Sequence, residues 1–261
     1  MTVLMGVILF VVGIAAGIVG GLLGIGGCVL MMPAIRFGFG FPAALAVGTT
    51  LTAVIFTAAS GAIQHWRLHN VDWHSVKYIA PAGVVGVLAG SVLFYYIRNY
   101  GNVIDLIVGL AFIWAALRML YEGIFRRKVP EVSGNELMGS KVAKAGVGGG
   151  VGFLTGVIGL GGGYALVPSF IYVLRSPLRV AIGSSMASFV WFALVGGVIK
   201  VFQGFCNIPA ALALGIGAAG GAVIGARLVG RFKPATLKAI FGVVFVYISL
   251  KYILLFFNIH I

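Results

Sequence analysis

The chain has 261 residues, of which 61% are hydrophobic and 9% charged, and its mean hydropathy is +1.14; these values exclude a soluble globular domain and identify a polytopic membrane protein. At ~20 residues per bilayer crossing, the chain supplies about eight or nine helices and leaves no length for an appended soluble domain. The 18 Lys and Arg against 5 Asp and Glu stand singly in short connections between apolar runs, so nucleic acid is excluded as a partner and the lipid bilayer is expected, with a positive field suited to anions.

Apolar runs lie at 3–23, 25–41, 42–64, 76–97, 102–121, 142–174, 178–202, 208–229 and 236–258. The first two are continuous across a glycine cluster, and the 142–174 run carries a similar cluster near its middle, so both exceed a simple crossing. Met1 to Phe10 lacks a basic leader, and the box ending at Cys28 is not read as a lipoprotein cleavage site. The longest polar stretch, 126–144, has charges of both signs, a proline and two glycines. It separates a first membrane repeat, 1–125, from a second, 145–261, as a cytoplasmic linker.

Sliding the chain against itself by 135 residues aligns GIVGGLLGIGG at 17–27 with GFLTGVIGLGG at 152–162. Pro33 then meets Pro168, Pro42 meets Pro177, Gly48 meets Gly183 and Gly61 meets Gly196, while Thr49 and Thr50 meet Ser184 and Ser185. Eleven identities fall within 17–61; ordered prolines and hydroxyl pairs at one unchanged offset indicate duplication, not glycine richness alone. If each broken run enters, turns and returns, 14 of the 18 basic residues face the cytoplasm, which obeys the positive-inside tendency. The expected fold is therefore all-α, with two inverted repeats, each a glycine-broken re-entrant segment plus three spanning helices.

Unwound backbone inside a membrane protein must find partners, and the half-helix that restarts at a break presents amide donors to an anion. Gly26, Gly27 and Cys28, with Gly161, Gly162 and Gly163, are the candidate backbone site. Thr49, Thr50, Ser184 and Ser185, seven or eight residues into their helices, are the candidate hydroxyl donors. Cys28, opposite Gly163 in the repeat, reads most simply as a small residue. Gly86, Gly90, Gly221 and Gly225 have the spacing of helix-packing stripes. Lys200 and its repeat partner His65 are expected to snorkel to an interface. His65, His69 and His74 share a loop with Trp66, Trp73 and Asp72 and read as an interfacial belt, not a metal site. Asp105 near a helix start complements the dipole. No aspartate-rich metal motif, membrane serine-protease motif or Walker A is present, so no catalytic residue, metal or cofactor is expected. Proton coupling, if it operates, is assigned to no side chain, since no carboxylate stands at mid-helix.

The duplicated segments GIVGGLLGIGGCVLMMP (17–33) followed by AVGTT (46–50), and GFLTGVIGLGGGYALVP (152–168) followed by AIGSS (181–185), resemble the TauE/SafE family of prokaryotic sulfite and organosulfonate transporters over essentially the whole chain. The resemblance implies a multi-pass permease of the prokaryotic cell (inner) membrane that moves small sulfur oxyanions, commonly outward. It places the binding candidates at the two glycine breaks and the hydroxyl pairs. An anion channel, or a carrier for small carboxylates, is the alternative. The exact substrate, direction, coupling ion and oligomeric state are not written in the sequence.

Overall fold

The computed structural model describes residues 3–124, 134, 136–159, 162–231 and 234–257. Among these there are helices and no strand: α1 (Val3–Leu23), α2 (Cys28–Pro33, continued by a π-helical turn Ala34–Gly38), α3 (Ala43–Arg67), α4 (Trp73–Ile97), α5 (Gly101–Ile124), α6 (Lys141–Ile158), α7 (Gly163–Tyr172), α8 (Leu178–Phe202), α9 (Ile208–Leu228) and α10 (Pro234–Phe256). The helices follow the apolar runs closely. Five of them, α1, α3, α4, α8 and α9, are long and apolar enough to cross a membrane. Most of the polar stretch that precedes α6 lies outside the described residues, and α6 itself starts at Lys141, where Ser140 accepts a hydrogen bond from the Ala143 amide.

Helix starts and stops have local causes. Pro42 and Pro177 precede α3 and α8, where a fixed φ and a missing amide suit a helix start. Asp72 and Asn207 cap α4 and α9 with side-chain oxygens that accept from the Ser75 and Ala210 amides. The first break contains Gly24, Gly26 and Gly27 at φ of 74°, 72° and 76°, and Gly159 opens the second at 64°; a side chain would be strained at each.

Glycine stripes then decide which helices meet. Gly13, Gly17 and Gly21 of α1 lie directly against the backbone carbonyls of Leu214, Ala218 and Ala222 of α9, so the two helices run in the same direction. Exactly 135 positions on, Gly148, Gly152 and Gly156 of α6 lie against the carbonyls of Ile79, Gly83 and Val87 of α4, again in parallel. The reciprocal stripes Gly86 and Gly90, and Gly221 and Gly225, press on α6 and α1, so their packing role is as expected. No methyl fits at these crossings.

Other contacts give the remaining directions. Gly48 meets Phe205 and Gly215 meets Ala53, which sets α3 parallel to the α9 segment; Gly61 meets Met186 and Gly196 meets Leu51, which sets α3 antiparallel to α8. Gly183 against Asn70 and Gly83 against Phe192 set α4 parallel to α8. Helices α1 and α3 therefore point the same way, so the chain between them doubles back after the first break. The same holds for α6 and α8. Helices α5 and α10 form a separate antiparallel pair, tied by the Ser249 hydroxyl donating to the Gly109 carbonyl at 2.7 Å.

Candidate functional site

The two breaks touch. Gly163, the first residue of α7, abuts the Gly24 carbonyl and the Ile25 backbone so closely that a side chain there would collide with both. Gly27 lies against the Ala16 carbonyl, so the restarted α2 begins beside α1. Two rings one turn apart on α8 cover the pair: Phe189 faces Gly26 and Phe192 faces Gly162. Both rings are buried, as are Gly24 to Cys28, Gly159, Gly162 and Gly163. Gly161 lies outside the described residues. The first-turn amides of a helix have no intrahelical acceptor, and the ten-residue α7 starts with its first turn at this contact. Cys28 is buried, and its Sγ–H donates to the Ile25 carbonyl at 3.1 Å, which holds the turn as well as filling a small space.

The four hydroxyls divide into two pairs with different tasks. Thr49 Oγ1 accepts the Asn207 backbone N–H at 2.9 Å, and Ser184 Oγ accepts the Asp72 backbone N–H at 2.9 Å. These bonds are repeat-related, and each ties one half's long helix to the loop that starts a helix of the other half. Ser185 Oγ–H lies 2.8 Å from the Gly24 carbonyl and 2.7 Å from that of Ile182, a shared donor that closes the first break. Thr50 Oγ1, its counterpart, is buried and makes no hydrogen bond among the described residues.

Lys200 and His65 do not snorkel. Both side chains are 0% exposed, because the helix ends that carry them are covered by packed neighbours. His65 Nε2–H donates to the Gly21 carbonyl at 3.0 Å, which leaves Nδ1 to accept from the Asn70 amide at 3.5 Å. Lys200 Nζ sits 3.3 Å from the centroid of the Phe94 ring and has no hydrogen-bond partner among the described residues. His65 thus leaves the interfacial belt, whereas Trp66 and Trp73 stay exposed, edge to face at 6.1 Å. Asp105 has a task beyond the helix dipole: it is fully buried and pairs with Arg36 of the π-helical turn at 3.0 Å. The repeat had marked Lys200 as matching a histidine; a cation inside an apolar helix was the signal for its burial.

The family model described as "Sulfite exporter TauE/SafE" matches residues 9–252 of this helical chain. The chain belongs to the TauE/SafE family. Its relatives are membrane transporters. Probable membrane transporter protein YunE of Bacillus subtilis is 28% identical over 95% of this chain and 97% of its own length. Probable membrane transporter protein MJ0441 of Methanocaldococcus jannaschii is 25% identical over 88% of this chain and 89% of its own. Probable membrane transporter protein MamO of Paramagnetospirillum magneticum is 28% identical over 93% of this chain, which spans 44% of that longer protein. No solved structure matches. The protein is thus a multi-pass membrane transporter of the TauE/SafE family, not an enzyme.

Proposed function

We propose that this transporter moves small sulfur oxyanions such as sulfite or organosulfonates across a prokaryotic cell membrane, outward, by alternating access between two inverted repeats. The observation that carries the reading is the buried contact between the two glycine breaks, Gly163 against the Gly24 carbonyl and the Ile25 backbone. An anion held beside this contact needs only short movements of the two doubled-back segments to change the side it sees. The helix directions support inversion: α1 runs parallel to α9 and α6 parallel to α4, while α3 and α8 are antiparallel. The family description supports the substrate class.

Counterflow of labelled sulfite in proteoliposomes tests the transport reading. Saturable exchange, competed by sulfonates and thiosulfate, is expected; flux that does not saturate would mean a channel, and exchange competed only by acetate would mean a carboxylate carrier. Side-specific thiol labelling tests inversion. With Cys206 replaced by serine, cysteines introduced at Gly40 and Arg175 should react from opposite sides of the membrane, and reaction from one side would overturn the inverted arrangement.

A further inference from the structure

At the first break, two carbonyls one turn apart are both held by side chains of the opposing helices, Gly24 by Ser185 at 2.8 Å and Gly21 by His65 at 3.0 Å. The repeat places Thr50 and Lys200 in the corresponding positions beside Gly159 and Gly156. Neither makes the corresponding bond among the described residues, where Thr50 Oγ1 and Lys200 Nζ are buried and unpartnered. Contacts put both on the second break's side. Val47, one turn before Thr50, packs against Gly159, and a methyl on Gly48 would lie 3.1 Å from Lys200 Cβ. On α4, Ser91 is one turn before Phe94, whose ring lies under the Lys200 ammonium, and the Ser91 backbone abuts Gly156. Its hydroxyl is a third buried polar atom with no partner, at a position where the other half has Ala226.

An ammonium taken out of water without a counter-charge is destabilising, and a cation–π contact offsets only part of that. The two unsatisfied hydroxyls add to the cost. One cation and two hydroxyl donors make the complement of a small oxyanion. Among the described residues the buried carboxylates are committed elsewhere, Asp105 to Arg36 and Asp72 to Ser75 and Leu137. At the end of α4, the Arg98 guanidinium lies 3.6 Å from the Tyr95 ring centroid and 5.7 Å from that of Phe205, and Phe205 meets Phe94 edge-on at 5.6 Å. This aromatic series leads from a partly exposed cation to the buried one.

We propose that Lys200, Thr50 and Ser91 form the anion-binding site, on the second break's side alone, with Lys200 supplying the charge and the hydroxyls the directed donors. The proposal rests on the reading of the protein as a carrier of small oxyanions. It is tested with purified wild type, Lys200→Met, Lys200→Arg, Thr50→Val and Ser91→Ala. Thermal unfolding in detergent is followed with sulfite, sulfate, thiosulfate, acetate and chloride at fixed ionic strength, alongside sulfite counterflow. An anion that stabilises the wild type should give Lys200→Met no protection and Lys200→Arg partial protection. Thr50→Val and Ser91→Ala should each raise the counterflow KM about tenfold with the melting temperature in anion-free buffer unchanged. Wild-type protection and KM in Lys200→Met overturn the site and leave sulfite transport standing; if that variant is not recovered folded, the same result in Thr50→Val and Ser91→Ala together overturns it. Protection by acetate alone that is lost in Lys200→Met upholds the site and overturns the sulfur substrate. Absence of both protection and counterflow in the wild type overturns both.

Discussion

The first and second glycine breaks have nearly the same sequence and occupy equivalent places, yet among the described residues the side chains beside them make different bonds. At the first, Ser185 and His65 hold the Gly24 and Gly21 carbonyls. At the second, Thr50 and Lys200 occupy the matching positions without a hydrogen bond. The left-handed glycine at the start of the turn, Gly24 and Gly159, is common to both, whereas Gly27 is left-handed at φ 76° and its match Gly162 is helical at φ -61°; the neighbouring side chains differ too, serine against threonine, histidine against lysine, alanine against serine. The difference teaches that the matched glycines set the fold of the two segments, whereas the side-chain donors beside them are free to differ, which is the asymmetry on which the proposed anion site rests.

The strongest way to break the comparison is to strike what both breaks share. Gly24 and Gly159 have φ of 74° and 64°. Alanine at either costs about 1–2 kcal/mol for the left-handed conformation alone, and its methyl would also crowd Ile182 and Ser185, or overlap Val47. Gly24→Ala and Gly159→Ala should therefore lose similar amounts of folded yield, each with a melting temperature well below wild type. Detergent size-exclusion and thermal unfolding check this. A harmless substitution at one break and a damaging one at the other would show that the backbone turns are not equivalent.

The next test separates the halves. Ser185→Ala and His65→Leu each leave a buried carbonyl without its side-chain donor, and should destabilise the anion-free protein by about 1–3 kcal/mol. Thr50→Val removes a hydroxyl that has no partner and keeps the branched shape, so its effect should stay within about 0.5 kcal/mol. Thermal unfolding of the three variants decides it, and equal losses would mean that Thr50 is held as firmly as Ser185.

Much of this fold was legible in the sequence because it is written in glycine and proline. The 135-residue offset, the nine apolar runs and the two breaks follow from residues whose backbone geometry or size admits few alternatives. The packing stripes Gly86, Gly90, Gly221 and Gly225 were legible for the same reason. The site was less so. Thr49, Thr50, Ser184 and Ser185 form a tidy symmetric set by position, but which of them bond to backbone depends on loops arriving from the opposite half, more than 100 residues away for Asp72 with Ser184 and Asn207 with Thr49. Lys200 and His65 read as interfacial because position along a helix says nothing about the neighbours covering its end. Arg36 with Asp105 joins groups 69 residues apart that no motif connects.

A loss smaller than those expected at Ser185 and His65 concerns the caps that tie the halves together, where Asp72 and Asn207 do the same task with different chemistry. Both cap a helix, and both present a backbone N–H to a hydroxyl of the other half. Burial raises the Asp72 pKa, but the Ser75 hydroxyl, the Leu137 and Ser75 amides and the charge of Lys144 together outweigh it and hold the carboxyl below its usual range. A carboxyl whose folded pKa is depressed contributes stability that is fully present above its unfolded value, ~4, and lost as pH falls through the folded value. Asn207 has no such dependence. Asp72→Asn keeps one oxygen acceptor and should cost about 1 kcal/mol at neutral pH. The difference in melting temperature from wild type should then shrink as the buffer is taken below pH 4, since the wild-type carboxyl loses its advantage there while the amide does not titrate. A difference that stays constant down to pH 3 would mean that the loop is held by the Ser184 contact and packing alone, and that the two caps are equivalent despite their different charge.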